Sequence, residues 1–167
     1  VDTDGRYAVV CDYKTGSPKL SLNEIMEGLS LQLITYLLAL SKTKDTKDLL
    51  PAAMMYIYLH GRPKSISVPP NGIPHAKEKE NTNGIFLNDP DVLRTLDSQS
   101  GTDDGFIGVS YVKDGSVKKT SPVLTAEEFE ALKALTEKTL IRLYSRLESG
   151  EIAIHPVKNG TLSPCSY

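Results

Sequence analysis

Two apolar strands separated by one capped helix constrain the fold of this chain more than any other feature. Residues 6 to 14 (RYAVVCDYK) are rich in β-branched and aromatic residues, and residues 52 to 60 (AAMMYIYLH) are nearly all apolar. Between them, residues 21 to 24 (SLNE) have the capping-box pattern, and the apolar spacing predicts a helix to about Leu40. Strand, helix and strand in this order predict a right-handed crossover in an α/β sheet.

Cap and turn signals predict the remaining elements. Asp4-Gly5 is a hairpin signal, so we expect a strand before the first one, lying off the start of the chain. The nearly continuous apolar centre of the first strand, residues 8 to 11, predicts burial on both faces. The other expected elements are a short helix from about 90 to 96, a hairpin over 106 to 120, and a helix opened by the capping box at 125 to 128 and ending near 149.

The chain is predicted to be one domain over residues 1 to 167 with a mobile loop inside it. The loop is expected at residues 69 to 84, which contain three prolines and the charge run KEKE. The chain does not begin with methionine, so we expect it to be a fragment of a longer protein. It has no run of about 18 apolar residues and no signal-peptide pattern, which predicts no membrane span and a cytoplasmic location.

Charge and cysteine content narrow the classes of function. A net charge of −2 argues against a free-standing, non-specific nucleic-acid binder, but it suits an enzyme that clusters carboxylates around a metal. Two cysteines, Cys11 and Cys165, do not make a secreted disulfide scaffold. Cys11 is predicted to be a small buried hydrophobic residue of the first strand. His60, His75 and His155 are scattered without metal-ligand spacing, so no catalytic role is predicted for them.

Asp12-Tyr13-Lys14 is the first candidate site, because residues two apart on a strand point to the same face. The Asp12 carboxylate can bind a divalent cation, and the Tyr13 backbone carbonyl can add a second oxygen ligand. The Lys14 ammonium can orient water and stabilise charge developing on a phosphate. The alternative is a surface ion pair at a strand end.

Gln32 and Tyr36 are the second candidate pair, four residues apart on one face of the predicted helix. A polar Gln among leucines needs a hydrogen-bond partner. It can find that partner at the edge of the core, with a buried Tyr ring beside it, or at a site shared with Asp12 and Lys14.

Together these motifs resemble the RecB branch of the PD-(D/E)XK nuclease superfamily. The segments that carry the resemblance are DYKTG at residues 12 to 16 and GLSLQLITY at residues 28 to 36. Within that branch, residues 52 to 56, 84 to 93 and 150 to 156 are similar to the carboxyl-terminal domain of AddB-type (RexB-type) subunits of bacterial helicase–nucleases. The resemblance implies a restriction-endonuclease-like α/β fold, with a mixed sheet flanked by helices.

The function implied by this resemblance is Mg²⁺-dependent exonucleolytic cleavage of DNA during recombinational repair of double-strand breaks. Asp12 would be a metal ligand and Lys14 the catalytic amine, while Gln32 and Tyr36 would position Lys14 or the substrate. The implied partners are DNA and an ATP-driven, AddA-type helicase–nuclease subunit in a heterodimer. Two rival functions remain: a catalytically silent module that guides DNA and docks a partner subunit, and a different nuclease of the same branch, of the small Cas4 type.

The sequence departs from the family pattern at both ends. A further metal-binding Asp, expected just before residue 1, and a more distant upstream His are not in the chain, so this fragment is expected to be a weak or inactive nuclease. The family also holds a [4Fe–4S] cluster with four cysteines, and Cys165 matches the first of the three near the carboxyl end. The resemblance therefore implies that Cys165 binds iron in the full-length protein, whereas by itself it would be an exposed thiol.

Overall fold

A computed structural model describes residues 1–3, 5–16, 18–59, 66–67, 75–76, 82–102 and 105–152. A sheet and its helices form the described part of the chain. The strands are β1 (Asp2–Thr3), β2 (Tyr7–Lys14), β3 (Leu50–Tyr58), β4 (Ile66–Ser67), β5 (His75–Ala76), β6 (Thr82–Leu87) and β7 (Val123–Leu124). The helices are α1 (Leu22–Met26), α2 (Gln32–Lys42), α3 (Pro90–Leu96) and α4 (Ala126–Glu148). None of these helices is long and apolar enough to cross a membrane.

The sheet is mixed, in the order β1-β2-β3-β6-β7, and β4 pairs with β5 separately. β2 and β3 run parallel with α1 and α2 between them, which confirms the predicted strand–helix–strand unit. Their register sets Asp12 beside Tyr56 and Lys14 beside Tyr58. β1 pairs antiparallel with β2, so a strand does precede β2, but its residues lie within the chain and not before its start as predicted. The α/β class is confirmed.

Each face of the sheet carries its own hydrophobic core. The face covered by α2 and α4 is built around Val10, Leu33, Met54 and Phe129, each with no exposed surface. The other face buries Met55, Phe86 and Leu93, the last from α3. Alternate residues of β3 supply the two cores, so six consecutive positions of that strand are buried.

Burial of β2 on both faces was predicted, and this is wrong for one face. Ala8 and Val10 are buried, whereas Val9 and Cys11 are half-buried. Val9 and Cys11 line a groove of about 590 Å³ that also borders α3 residues Val92 and Thr95. Because that side of β2 is only partly covered, Cys11 is not the fully buried residue that the sequence predicts.

The single helix predicted from residue 21 to about 40 is two helices. Ser21 caps α1 as predicted and accepts a hydrogen bond from Glu24 N at 3.5 Å. The chain then leaves the helix, because Gly28 (φ 83°) and Ser30 (φ 51°) have left-handed backbones. A Cβ on Gly28 would lie 3.3 Å from Thr139 Cγ2 of α4, so α4 packs directly against this break.

The two later helices are confirmed at their predicted starts. Asp89 caps α3 by accepting from the backbone N–H groups of Asp91 and Val92, with proline in the first turn. The capping box of Thr125 and Glu128 is complete at the start of α4.

Two other predictions need correction. In place of the hairpin predicted over 106 to 120, the structure has a single antiparallel β-bridge between Tyr111 and Val117. The next strand along the chain is β7, at 123–124. The loop predicted over 69 to 84 extends too far, because residues 82 to 84 begin β6, and residues 75 and 76 form β5. The rest of that loop lies outside the described residues.

Candidate active site

Asp12 and Lys14 lie together at the carboxyl end of β2, as their spacing predicts. Lys14 Nζ is 2.6 Å from Asp12 Oδ2, with about 30% and 23% of the two side chains exposed. The contact is a close ion pair, and Asp12 Oδ2 is buried beneath it. This contact with Asp12 raises the pKa of Lys14 above its ordinary value, and burial opposes the rise. Lys14 is therefore a cation at neutral pH.

Gln32 and Tyr36 extend this pair into a continuous polar cluster. Lys14 Nζ donates to Gln32 Oε1 at 3.0 Å, and Gln32 Nε2 donates to the Tyr36 hydroxyl at 3.2 Å. Gln32 is the first residue of α2, and Tyr36 is one turn further along the same face. The structure thus brings together the four predicted residues of the strand and the helix, which we call the polar cluster: Asp12, Lys14, Gln32 and Tyr36.

The break between α1 and α2 aims Gln32 at Lys14. α1 packs against the core through buried Ile25, and α2 does so through Leu33, Ile34 and Leu37. In one continuous helix, the buried residues of both segments would have to lie on the same helical face. The left-handed residues between them instead let α2 begin at Gln32, beside the end of β2.

Comparison with known proteins agrees with this geometry. The sequence profile described as the PD-(D/E)XK nuclease superfamily matches residues 1–167.

The chain belongs to the PD-(D/E)XK nuclease superfamily.

Relatives from several bacteria are each named as a subunit of an ATP-dependent helicase/deoxyribonuclease. The chain is 33% identical to that of Clostridium kluyveri, with 96% of this chain and 15% of the relative covered. It is 33% identical to that of Desulforamulus reducens, with 96% and 14% covered. The relative from Alkaliphilus oremlandii is 25% identical, with 99% and 15% covered. The chain therefore spans about 15% of the length of these relatives.

Tyr56 is a neighbour of the polar cluster that sequence reasoning missed. Its ring lies under Lys14, with Nζ 5.2 Å from the ring centroid, which is a cation–π distance. Burial raises the pKa of Tyr56, the Lys14 charge opposes the rise, and the charges of Asp12 and Glu24 add to it. Tyr56 thus lies within electrostatic range of Lys14, Asp12 and Glu24. The usable signal was an aromatic residue at the position of β3 that pairs with Asp12.

Nucleases of this superfamily generally use divalent metal ions, and Asp12 fits such a role in part. Its carboxylate has the hard oxygen atoms that a divalent ion takes as ligands, and because Oδ2 already contacts the Lys14 ammonium at 2.6 Å, a bound ion would share this carboxylate with Lys14. No group of three or more His, Cys, Asp or Glu side chains able to hold a metal occurs among the described residues. Asp12 would therefore supply only one ligand to such an ion, and the other ligands would have to come from water, substrate or further residues.

The remaining predicted residues fall outside the polar cluster. The Tyr13 side chain is 63% exposed and faces away from Asp12, so only its backbone carbonyl remains a candidate ligand. Cys165, His60 and His155 lie outside the described residues, as does the side chain of His75. The groove beside Cys11 contains neither Asp12 nor Lys14, so we assign the candidate site from the contacts of the polar cluster and not from the groove.

Proposed function

We propose that this chain forms most of the nuclease domain of a helicase–nuclease complex, and that this domain hydrolyses DNA phosphodiester bonds as an exonuclease in the full-length protein. The observation that carries the proposal is the unbroken run of contacts from Asp12 through Lys14 and Gln32 to Tyr36. It sits in a chain whose superfamily is a nuclease superfamily. A catalytically silent module has no need for a lysine held on three sides by a carboxylate, an amide and an aromatic ring.

Each residue has a distinct role in this proposal. Asp12 and the Tyr13 carbonyl would hold a Mg²⁺ ion in part, and the chemistry that such an ion would supply is Lewis-acid activation. The Lys14 ammonium stabilises negative charge that grows on the phosphate oxygens. Gln32 fixes Lys14 by accepting a hydrogen bond from its ammonium group, and Tyr36 fixes the orientation of the Gln32 amide by accepting a hydrogen bond from Gln32 Nε2.

The names of the relatives supply the proposed setting. They are called subunits of an ATP-dependent helicase/deoxyribonuclease. We therefore propose that the substrate is DNA and that the partner is an AddA-type helicase–nuclease subunit. Double-strand break repair by recombination in the cytoplasm is the matching process. The negative formal charge of this chain fits an arrangement in which other parts of the complex supply the basic surface that binds DNA.

An iron–sulfur cluster is the second proposed cofactor, and it belongs to the full-length protein. Cys165 would provide one of four thiolates, because [4Fe–4S] clusters are typically held by four cysteines. We expect the full-length protein to contain iron and acid-labile sulfide and to absorb visible light. The variant Cys165→Ala is expected to lose most of this iron, while Cys11→Ala keeps it. A full iron content in Cys165→Ala would contradict the assignment of Cys165 as a cluster ligand.

The metal role of Asp12 is tested by Asp12→Asn in the full-length protein with its partner. Asparagine keeps a similar shape and one oxygen but loses the charge that attracts a cation. We therefore expect the Mg²⁺ concentration for half-maximal DNA cleavage to rise by at least about tenfold. The measurement is the initial cleavage rate on linear duplex DNA across a Mg²⁺ titration, with ATP held constant.

A second aspartate of similar type controls for general effects of charge. Asp91 lies on α3 with 94% of its side chain exposed, so Asp91→Asn should leave the Mg²⁺ requirement unchanged. An unaltered Mg²⁺ dependence in Asp12→Asn would contradict a metal role for Asp12. If DNA cleavage also persisted after the rest of the polar cluster was removed, another part of the complex would perform that cleavage. The domain would then be a silent module that guides DNA.

A further inference from the structure

Glu24 lies on α1, outside the polar cluster, and binds the segment that leads into it. Its Oε2 accepts a hydrogen bond from Ser30 Oγ at 2.7 Å, and its backbone carbonyl accepts one from Leu29 N at 2.7 Å. The Glu24 side chain is half-buried. One residue of α1 therefore holds two consecutive residues of the break between the helices.

Ser30 needs such a partner because its backbone is unfavourable. Its φ of 51° is in the left-handed region, and it is the one described non-glycine residue with a positive φ. This conformation typically costs about 1 kcal/mol or more for a residue with a side chain. A hydrogen bond contributes about 1 kcal/mol, so the contact of Ser30 with the Glu24 side chain can offset the cost. The pair holds a turn that the backbone alone does not favour.

The turn matters because the start of α2 has no cap of its own. Its N-cap residue, Leu31, makes no side-chain hydrogen bond to the helix. Gln32 follows directly, and its Oε1 accepts from Lys14 at 3.0 Å. The position of that amide therefore depends on the two residues before it, which the contact between Glu24 and Ser30 holds in place.

We propose that Glu24 is a positioning residue for the reaction, which acts on Lys14 through Ser30 and Gln32. The proposal rests on the proposed nuclease function. In this role Glu24 serves as a hydrogen-bond acceptor for Ser30, and its charge is not required at the reacting phosphate. The neutral isostere glutamine has the same acceptor oxygen and should replace it.

The test compares four variants in the full-length protein assembled with its partner. Glu24→Ala and Ser30→Ala are each expected to lower kcat for DNA cleavage by about tenfold, because small misplacements of a catalytic group are costly. KM for DNA should stay within about twofold, since no substrate contact is removed. Glu24→Gln should restore most of kcat. Glu27→Ala changes an exposed carboxylate at the end of the same helix and should leave kcat unchanged.

A double-mutant cycle with Gln32→Ala separates positioning from direct participation. If Glu24 acts through Gln32, adding Glu24→Ala to Gln32→Ala should lower kcat by less than about twofold further. Multiplicative losses, or Glu24→Gln as poor as Glu24→Ala, would overturn the proposal and make the carboxylate a direct participant. If Glu24→Ala does not fold, Ser30→Ala remains as the test, and a normal kcat in that variant is sufficient to overturn the proposal. Lys14→Ala runs in parallel, and full cleavage in that variant would refute the proposed function itself.

Discussion

Replacing Lys14 with alanine is expected to lower DNA cleavage by the full-length protein by on the order of 10² or more. The ammonium is the only cationic group within the polar cluster, and its three contacts fix it at one place: Asp12 at 2.6 Å, Gln32 at 3.0 Å and the Tyr56 ring at 5.2 Å. A positioned charge is effective because it needs no reorganisation when charge develops on the phosphate. Its loss should therefore appear in the cleavage rate at saturating Mg²⁺.

Unwinding provides the internal control for this variant. DNA hydrolysis consumes no ATP, so ATP-driven unwinding by the proposed helicase–nuclease complex should continue at its normal rate in Lys14→Ala. Lys42→Ala is the matched lysine control: Lys42 lies on α2, is 62% exposed and pairs with Glu137 at 3.0 Å, far along the helix from Gln32. Unchanged cleavage in Lys14→Ala would exclude the assigned role. An equal loss in Lys42→Ala would mean that the effect is general.

The largest expected loss of stability is that of Gly84→Ala, at about 3 kcal/mol or more. Gly84 is buried in β6 opposite Met55 of β3. An added Cβ would lie 2.5 Å from Met55 Cβ and 2.8 Å from the Met54 carbonyl oxygen. Because both are fixed parts of the chain, no change of rotamer relieves the clash, and the two strands must separate.

Denaturant unfolding of the 167-residue chain, followed by circular dichroism, measures this effect. Gly108→Ala is the matched control, since an added Cβ there meets no atom within 4 Å, and a change of no more than about 0.5 kcal/mol is expected. Equal unfolding midpoints for the two variants would show that β3 and β6 do not approach as closely as described. A large loss in Gly84→Ala alone would confirm the close approach.

Capping residues in the sequence correctly predicted where α3 and α4 begin. The start of α3 follows from an aspartate before a proline, and that of α4 from a threonine and a glutamate three residues apart. Caps of this kind satisfy the first backbone N–H groups within a single turn, so distant residues are not needed to specify them.

The hairpin predicted over 106 to 120 failed because distant groups compete for its backbone. Ile107 N donates to the Asp97 carboxylate at 3.0 Å, and the Phe106 carbonyl accepts from Thr82 Oγ1. These partners come from the end of α3 and from β6, which no local pattern could reveal. A strand needs those same groups for its ladder.

By itself, the sequence determined which side chains would meet at the end of β2 and along α2. The two-residue period of a strand places Asp12 and Lys14 on one face, and the helical period places Gln32 and Tyr36 on another. Only the tertiary structure decided that these two faces join through Lys14, because that requires the helix to break at Gly28 and Ser30. The break is favoured by packing of α4 against Gly28, which is a long-range contact, and by the local contact of Glu24 with Ser30, and together these outweigh the helical pattern there.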